Sequence, residues 1–247
     1  YVVLYNLIGS SLQSLGEYEE ASNYFKKGLQ LDSNNLALMN NLAMSYKNLL
    51  HYKEAQNLYL KIIDINNKYI NAYVNLGNLK RDLNQFDESI KLYEKALSIS
   101  NNYPIVYYSL ALAHQGIGNF EKAIEYSKKT LNLNPNFTQA DHLISQSAKY
   151  TEKNPHYENL KKKISEMNPK SFEMVDLCFS LSKAEEDLKN IDKASNYMIR
   201  GNKLKKELIQ FNIINDLNLI KNVKNKFKKI NIEIKDNKKN NKIIFIL

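Results

Sequence analysis

The sequence repeats with a period of 34 residues, and no other feature constrains its fold as tightly. Small residues stand at Ala21, Ala55, Ser89 and Ala123, with aromatics three residues earlier at Tyr18, Tyr52, Phe86 and Phe120. Four residues after each small position come Phe25, Tyr59, Tyr93 and Ser127, while Ile8-Gly9, Leu42-Ala43, Leu76-Gly77 and Leu110-Ala111 form further columns upstream. A unit of this length is a helix-turn-helix that cannot bury its apolar face without a neighbour. Where two antiparallel helices cross closely, only Gly, Ala or Ser lets the backbones approach, and bulky residues three or four positions on interlock around that contact. Gly16, Leu50, Asn84 and Gly118 share the column where the first helix must stop in a left-handed cap, a place that suits Gly and, next, Asn.

Composition agrees. Seven Gly and four Pro in 247 residues leave little material for tight-turned sandwiches, so long helices with short connections are expected. The columns resemble those of tetratricopeptide repeats, with four regular units at 2–35, 36–69, 70–103 and 104–137. The resemblance implies an all-α fold, a right-handed α-α superhelix of about six helical pairs. The Trp of that family's fourth position is absent, its place taken by Tyr5, Met39, Tyr73 and Tyr107. Two divergent pairs are expected over 138–208. The fifth keeps register, since Pro169 lies 34 after Pro135, but Tyr157 at its small position and Lys161-Lys162-Lys163 in its second helix predict irregular packing. A three-residue slip introduces the sixth, marked by Leu181-Ser182, Ala194, Met198 and Gly201. A capping or linker helix is expected over 209–229. Residues 230–247 read as a basic tail with short strands at 231–235 and 242–247, the beginning of a truncated following domain.

Net charge is +9, and residues 200–247 account for it with 13 basic against 4 acidic side chains. The near-neutral body, with Arg81 its one arginine, argues against a nucleic-acid groove. Neither a run of 18 apolar residues nor a leader pattern is present, so no membrane partner is expected. The single cysteine, Cys178, excludes internal disulfides and fits a reducing, cytoplasmic setting. The chain opens at Tyr1 within a helical pattern and closes on the apolar run Ile243 to Leu247, and it is read as a fragment.

Catalysis needs a nucleophile, a base and an oriented partner. Cys178, His51, His114, His142 and His156 are the candidates, and they form no recognisable constellation. His114 shares a column with Leu12, Tyr46 and Lys80 and reads as a packing residue; Cys178, with the slip counted, falls in that of Tyr5 and Met39 and reads as a buried thiol. His142 and His156 lack a third ligand, and the glycines build no phosphate loop, so neither metal nor cofactor is expected and this chain reads as non-catalytic.

Binding is what such a solenoid offers, because the first helix of each unit lines a concave groove. Candidate groove residues are Asn6, Asn40, Asn41, Met44, Asn71, Asn75, Asn78 and Tyr108. The positions at which one tetratricopeptide subfamily clamps the C-terminal carboxylate of chaperones hold Asn6, Ser10, Asn41, Asn71 and Asn75, with no cation, so that partner is not expected. Asn41-Leu42-Ala43 and Asn75-Leu76-Gly77 instead resemble the asparagine ladder of O-linked N-acetylglucosamine transferase repeat domains, which implies capture of a protein or an extended peptide by its backbone. An amide donates to C=O and accepts from N–H at once, which suits that task. With 35 Asn in the chain, accident of composition is the competing explanation.

A second resemblance concerns the C-terminal part. Leu177 to Glu207, followed by a helix and Lys242-Ile243-Ile244-Phe245-Ile246, is similar to the junction in bacterial sulfotransferases that carry N-terminal tetratricopeptide repeats. It implies the acceptor-recruiting half of a PAPS-dependent sulfotransferase whose catalytic domain follows Leu247. A self-associating scaffold, suggested by the aromatic-rich repeat faces, is the third reading.

Overall fold

A computed structural model describes residues 1–209, of which Tyr1–Lys205 form one compact unit. The second unit, Lys206–Leu247, contributes only its first few residues to the described part. The expected helix over 209–229 (beyond its first residue), the basic tail and the expected strands at 231–235 and 242–247 lie outside the described residues.

The described residues form twelve helices and no strand, an all-α superhelix of helical pairs. The regular pairs are α1 (Val2–Ser14) with α2 (Tyr18–Leu31), α3 (Leu36–Asn48) with α4 (Tyr52–Ile65), α5 (Ile70–Asp82) with α6 (Phe86–Ile99), and α7 (Pro104–Gly116) with α8 (Phe120–Leu133). They are followed by α9 (Thr138–Ser147), α10 (Pro155–Glu166), α11 (Phe172–Asp187) and α12 (Ile191–Leu208). In the first four pairs both helices start and stop 34 residues after their predecessors.

Each pair closes on its small column. Ala21, Ala43, Ala55, Ala111 and Ala123 are fully buried, as are Phe25, Tyr59 and Tyr93. Gly77 shows why size matters there: a Cβ added to it stands 2.5 Å from the Tyr93 ring, and one added to Gly9 stands 2.4 Å from that of Phe25. Glycine and ring thus share one space. Apolar clusters around Tyr59, Ile62 and Leu76, and around Tyr93, Val106 and Leu110, run from one pair into the next, so every unit is covered by its neighbour.

In the four regular pairs the turn column adopts the left-handed conformation, with φ of 83° at Gly16, 63° at Leu50, 59° at Asn84 and 77° at Gly118. At Leu50 the capping bonds form, Leu50 N–H to Lys47 O and His51 N–H to Tyr46 O, despite a Cβ that disfavours this φ. Leu50 is 68% exposed and so loses little on truncation. Leu50→Gly is therefore expected to raise stability by about 0.5–1 kcal/mol, the relief of strain outweighing the added chain entropy. A urea midpoint that stays put or falls would contradict this.

The last two pairs depart from the pattern. α9 starts in register but ends one turn early: Glu152 occupies the capping column, and residues 148–154 run as a loop. Tyr157 in the small column bars a close crossing with α9, and α10 packs on α11 instead, where Tyr157 and Leu160 join Leu177, Leu181 and Ala184. α11 has 16 residues where the first helices of the four regular pairs have 13. The extra turn, Phe172–Met174, produces the slip, and Gly201 then faces the Cβ of Cys178 as Gly28 faces that of Tyr5. Met198, in the column of Phe25, differs from it in being 45% exposed. The place of Gly9 is taken here by Ser182, whose buried hydroxyl donates to Ala194 O at 2.8 Å, leaving less room for a large side chain.

Candidate functional site

The first helices α1, α3, α5, α7, α9 and α11 pack side by side and form the inner layer of the superhelix, with the second helices outside it. Four of the candidate asparagines meet in that layer. Asn75 Nδ2 donates to Asn40 Oδ1 at 2.9 Å, Asn40 Nδ2 lies 3.5 Å from Asn41 Oδ1, and Asn41 Nδ2 donates to Asn6 Oδ1 at 2.9 Å. A chain of amides thus crosses α5, α3 and α1. Its rule is positional: the sixth residue of one unit reaches the fifth of the unit before. On α7 the sixth residue is Ser109, which turns back to Ile105 O, and the fifth of α5 is Val74, so the chain stops there.

The amides of this row are therefore engaged with one another. Asn6, Asn41 and Asn75 remain partly exposed, while Asn40 is buried. Met44 Sδ lies beside Asn40 Nδ2 at 3.8 Å, and Asn71 stands exposed one turn before Asn75. Asn78 faces the core, its Oδ1 accepting from the Tyr93 hydroxyl at 2.8 Å. Tyr108 is farther along the layer, against Phe137 with ring centroids 4.9 Å apart.

Several residues of this layer escape a reading by column. Gln13 Nε2 donates to Asn41 O at 2.7 Å and Ser45 Oγ at 2.8 Å, bracing the amide chain. Lys47 on α3 and Arg81 on α5, one repeat apart, both meet Asp82, at 2.7 and 3.2 Å. Two cations share one carboxylate there, at positions distinct from the asparagine columns. On α11, Asp176 Oδ2 accepts from Thr138 Oγ1 at 2.7 Å. Burial pushes the Asp176 carboxyl pKa up, the Thr138 bond opposes that, Glu173 and Asp141 add to it, and Lys205 counters them. The Tyr108 hydroxyl is likewise raised by burial, then by the Asp176 charge, with Arg81 acting the other way.

The potential nucleophile and bases have structural surroundings. Cys178 is buried and its thiol pushed up by desolvation, away from the thiolate that reactivity requires. His114 is buried and stacked on Tyr126 at 5.4 Å, and desolvation lowers its pKa. His142 is lowered for the same reason and sits against Phe179 and Gln146. His156 belongs to a polar core under the fifth pair. Asp141, fully buried, accepts from His156 Nε2 at 3.0 Å and from Lys163 Nζ at 2.6 Å, and His156 Nδ1 meets Tyr150 Oη at 2.6 Å. Ser145 Oγ adds a further bond to Tyr150 at 2.8 Å. Of the Lys161-Lys162-Lys163 run, Lys163 is thus drawn into the interior by Asp141. The sequence carries a clue, since Asp141 falls in the core column of Tyr5, Met39, Tyr73 and Tyr107, and a carboxylate there demands a cation. Among the described residues no group of three or more His, Cys, Asp or Glu could hold a metal ion, and no helix is long and apolar enough to cross a membrane.

A tetratricopeptide repeat profile matches residues 2–35, 36–69 and 105–137, and a second TPR repeat profile matches 77–118. Among solved structures the chain is similar to that of Pseudomonas aeruginosa pilF, at 19% identity and a TM-score of 0.62, covering 83% of this chain and 97% of that one. It is also similar to a tetratricopeptide repeat protein from Parabacteroides merdae, at 17% identity and TM-score 0.61 over 85% and 81% of the two chains. MamA from Desulfovibrio magneticus RS-1 follows at 16% identity and TM-score 0.51, over 83% and 96%. At these identities the likeness concerns the fold. No curated protein matches the chain.

Proposed function

We propose that this chain, which belongs to the tetratricopeptide repeat family, is a non-catalytic interaction module that holds a protein or extended peptide on its inner helical layer, gripping the backbone through the asparagine row. Repeats of this family typically bind proteins or peptides and are generally not catalytic. The observation that carries the finer reading is the hydrogen-bonded amide chain Asn75–Asn40–Asn41–Asn6. Linked amides are oriented before a ligand arrives, and orientation in advance lowers the entropy lost on binding. Each amide keeps capacity beyond the bond it makes to its neighbour, so the partly exposed members retain sites for a peptide C=O or N–H. The reading places the protein in the cytoplasm, with neither nucleic acid, membrane nor a chaperone carboxylate as partner.

Asn41→Ala combined with Asn75→Ala is expected to weaken an extended peptide ligand by about 1–3 kcal/mol, two amide sites being lost. Calorimetric titration measures this, with helical circular dichroism as the control for folding. Unchanged affinity in a folded double variant would move the site away from the row.

The sulfotransferase reading draws on Leu177 to Glu207, which forms most of α11 and of α12, a helical pair of the same solenoid; its other half, Lys242 to Ile246, lies outside the described residues. The third reading is a self-associating scaffold, suggested by the aromatic-rich repeat faces. Light scattering separates that reading from a monomeric binder.

A further inference from the structure

Beyond the asparagine row, the inner layer changes character between α7 and α11. Tyr108 of α7 and Phe137, at the N-terminus of α9, form a tilted ring pair with centroids 4.9 Å apart. The next residue, Thr138, donates its hydroxyl to Asp176 of α11 at 2.7 Å. Two aromatic rings and a carboxylate are therefore gathered by consecutive residues at the start of one helix. With the slip counted, Asp176 falls at the second position of its unit, one of those that line the groove.

The carboxylate is short of positive charge. Among the described residues Asp176 forms no ion pair; Glu173, one turn before it, and Asp141 add negative field, and Lys205 is the cation whose field opposes them. Its desolvation is met by one hydroxyl, although both oxygens can accept. Both Tyr108 and Asp176 keep part of their surface open. The Asp176 charge reaches the Tyr108 hydroxyl: burial raises that hydroxyl's pKa first, the Asp176 charge second, and Arg81 acts the other way. A half-buried carboxylate tied through Thr138 to the residue next to an aromatic pair has the composition of a cation-binding site, the rings supplying quadrupole attraction and the carboxylate a charge-assisted hydrogen bond.

We propose that this site receives a lysine or arginine side chain of the bound peptide, its charge on the Asp176 carboxylate and its stem against the Tyr108–Phe137 ring pair. The inference rests on reading the inner layer as a peptide groove and adds its side-chain preference. The amide row grips backbone without regard to sequence, whereas this site selects one basic residue. Glu173, exposed at the rim, draws the cation inward.

The probe is a capped 12-residue Ser/Ala peptide with one central arginine, set against the same peptide with neutral citrulline in that place. Binding is followed by backbone amide shifts of the protein across a titration. The arginine peptide is expected to shift residues 108, 137, 138 and 176 and to bind at least 10-fold more tightly than its citrulline twin. Asp176→Asn, which keeps an acceptor for Thr138, is expected to abolish that difference with thermal unfolding unchanged, and Tyr108→Ala to weaken the arginine peptide at least 5-fold. Equal binding of the two peptides by wild-type protein, or full arginine preference in a folded Asp176→Asn variant, overturns the cation site. If in that case both peptides still shift residues 6, 40, 41 and 75, the groove stands without it. Arginine-dependent shifts at the cation site with silence at the asparagines uphold that site and overturn the asparagine row instead. A peptide that shifts neither region overturns both.

Discussion

Asp141→Ala is expected to lower the stability of the fifth and sixth pairs by about 3–5 kcal/mol, because it leaves Lys163 and His156 without the carboxylate that both contact. Asp141 is fully buried, and the Lys163 side chain retains only 11% exposure, too little for water to replace the lost partner. The damage should be regional. In a solenoid each unit contacts its neighbours alone, so hydrogen exchange should rise in α9, α10 and α11 while α1 to α4 keep their protection. Converting the cluster to apolar side chains, with Asp141→Leu, His156→Phe and Lys163→Met together, should cost much less than Asp141→Ala, since no charge remains unpaired. Urea unfolding followed by circular dichroism measures both. An Asp141→Ala protein within about 1 kcal/mol of wild type would mean that water reaches the cluster freely.

Tyr93→Ala carries the second large effect, an expected loss of about 3–5 kcal/mol from the cavity left by a fully buried ring. The Tyr93 hydroxyl also donates to Asn78 Oδ1, so removing the side chain strips a partner from the inner layer. Gly77→Leu overfills the same place, with an expected cost of about 1–3 kcal/mol or more, because Tyr93 is enclosed and cannot swing aside. The informative result is the combination. With Tyr93→Ala in place, the side chain introduced by Gly77→Leu meets a cavity instead of a ring, so the double variant should be more stable than the sum of the single losses allows, by about 0.5–3 kcal/mol. Strict additivity in urea unfolding would show that the two positions do not compete for one volume.

Legibility in the sequence follows the range of the interactions concerned. Ala21, Ala55, Ser89 and Ala123 are legible because a close helix crossing imposes a size limit that recurs once per unit. The left-handed turns at Gly16 and Gly118 are legible because the backbone there needs a residue free of a Cβ clash, and Leu50 and Asn84 follow from the period. Irregularity in the fifth pair is signalled by Tyr157 in a column of small residues. Its form is not, since the early end of α9 and the turn from α10 toward α11 depend on how Tyr157 and Leu160 find room beside Leu177 and Leu181. The asparagines at 6, 40, 41 and 75 are identifiable as groove residues by position, but their bonds to one another are not, nor is the turn of Asn78 toward Tyr93.

The sequence by itself determined that the chain folds as helical pairs recurring every 34 residues and which small and bulky columns close each pair, because periodic size and polarity act within a unit and between nearest neighbours. Only the tertiary structure decided the polar pairings: Asn41 with Asn6, 35 residues away, Thr138 with Asp176, 38 away, and Asp141 with Lys163 across a break in the repeat. Hydrogen bonds and ion pairs form or fail within about an ångström. Such distances are settled by the packing of helices against one another, which a period in the sequence does not specify.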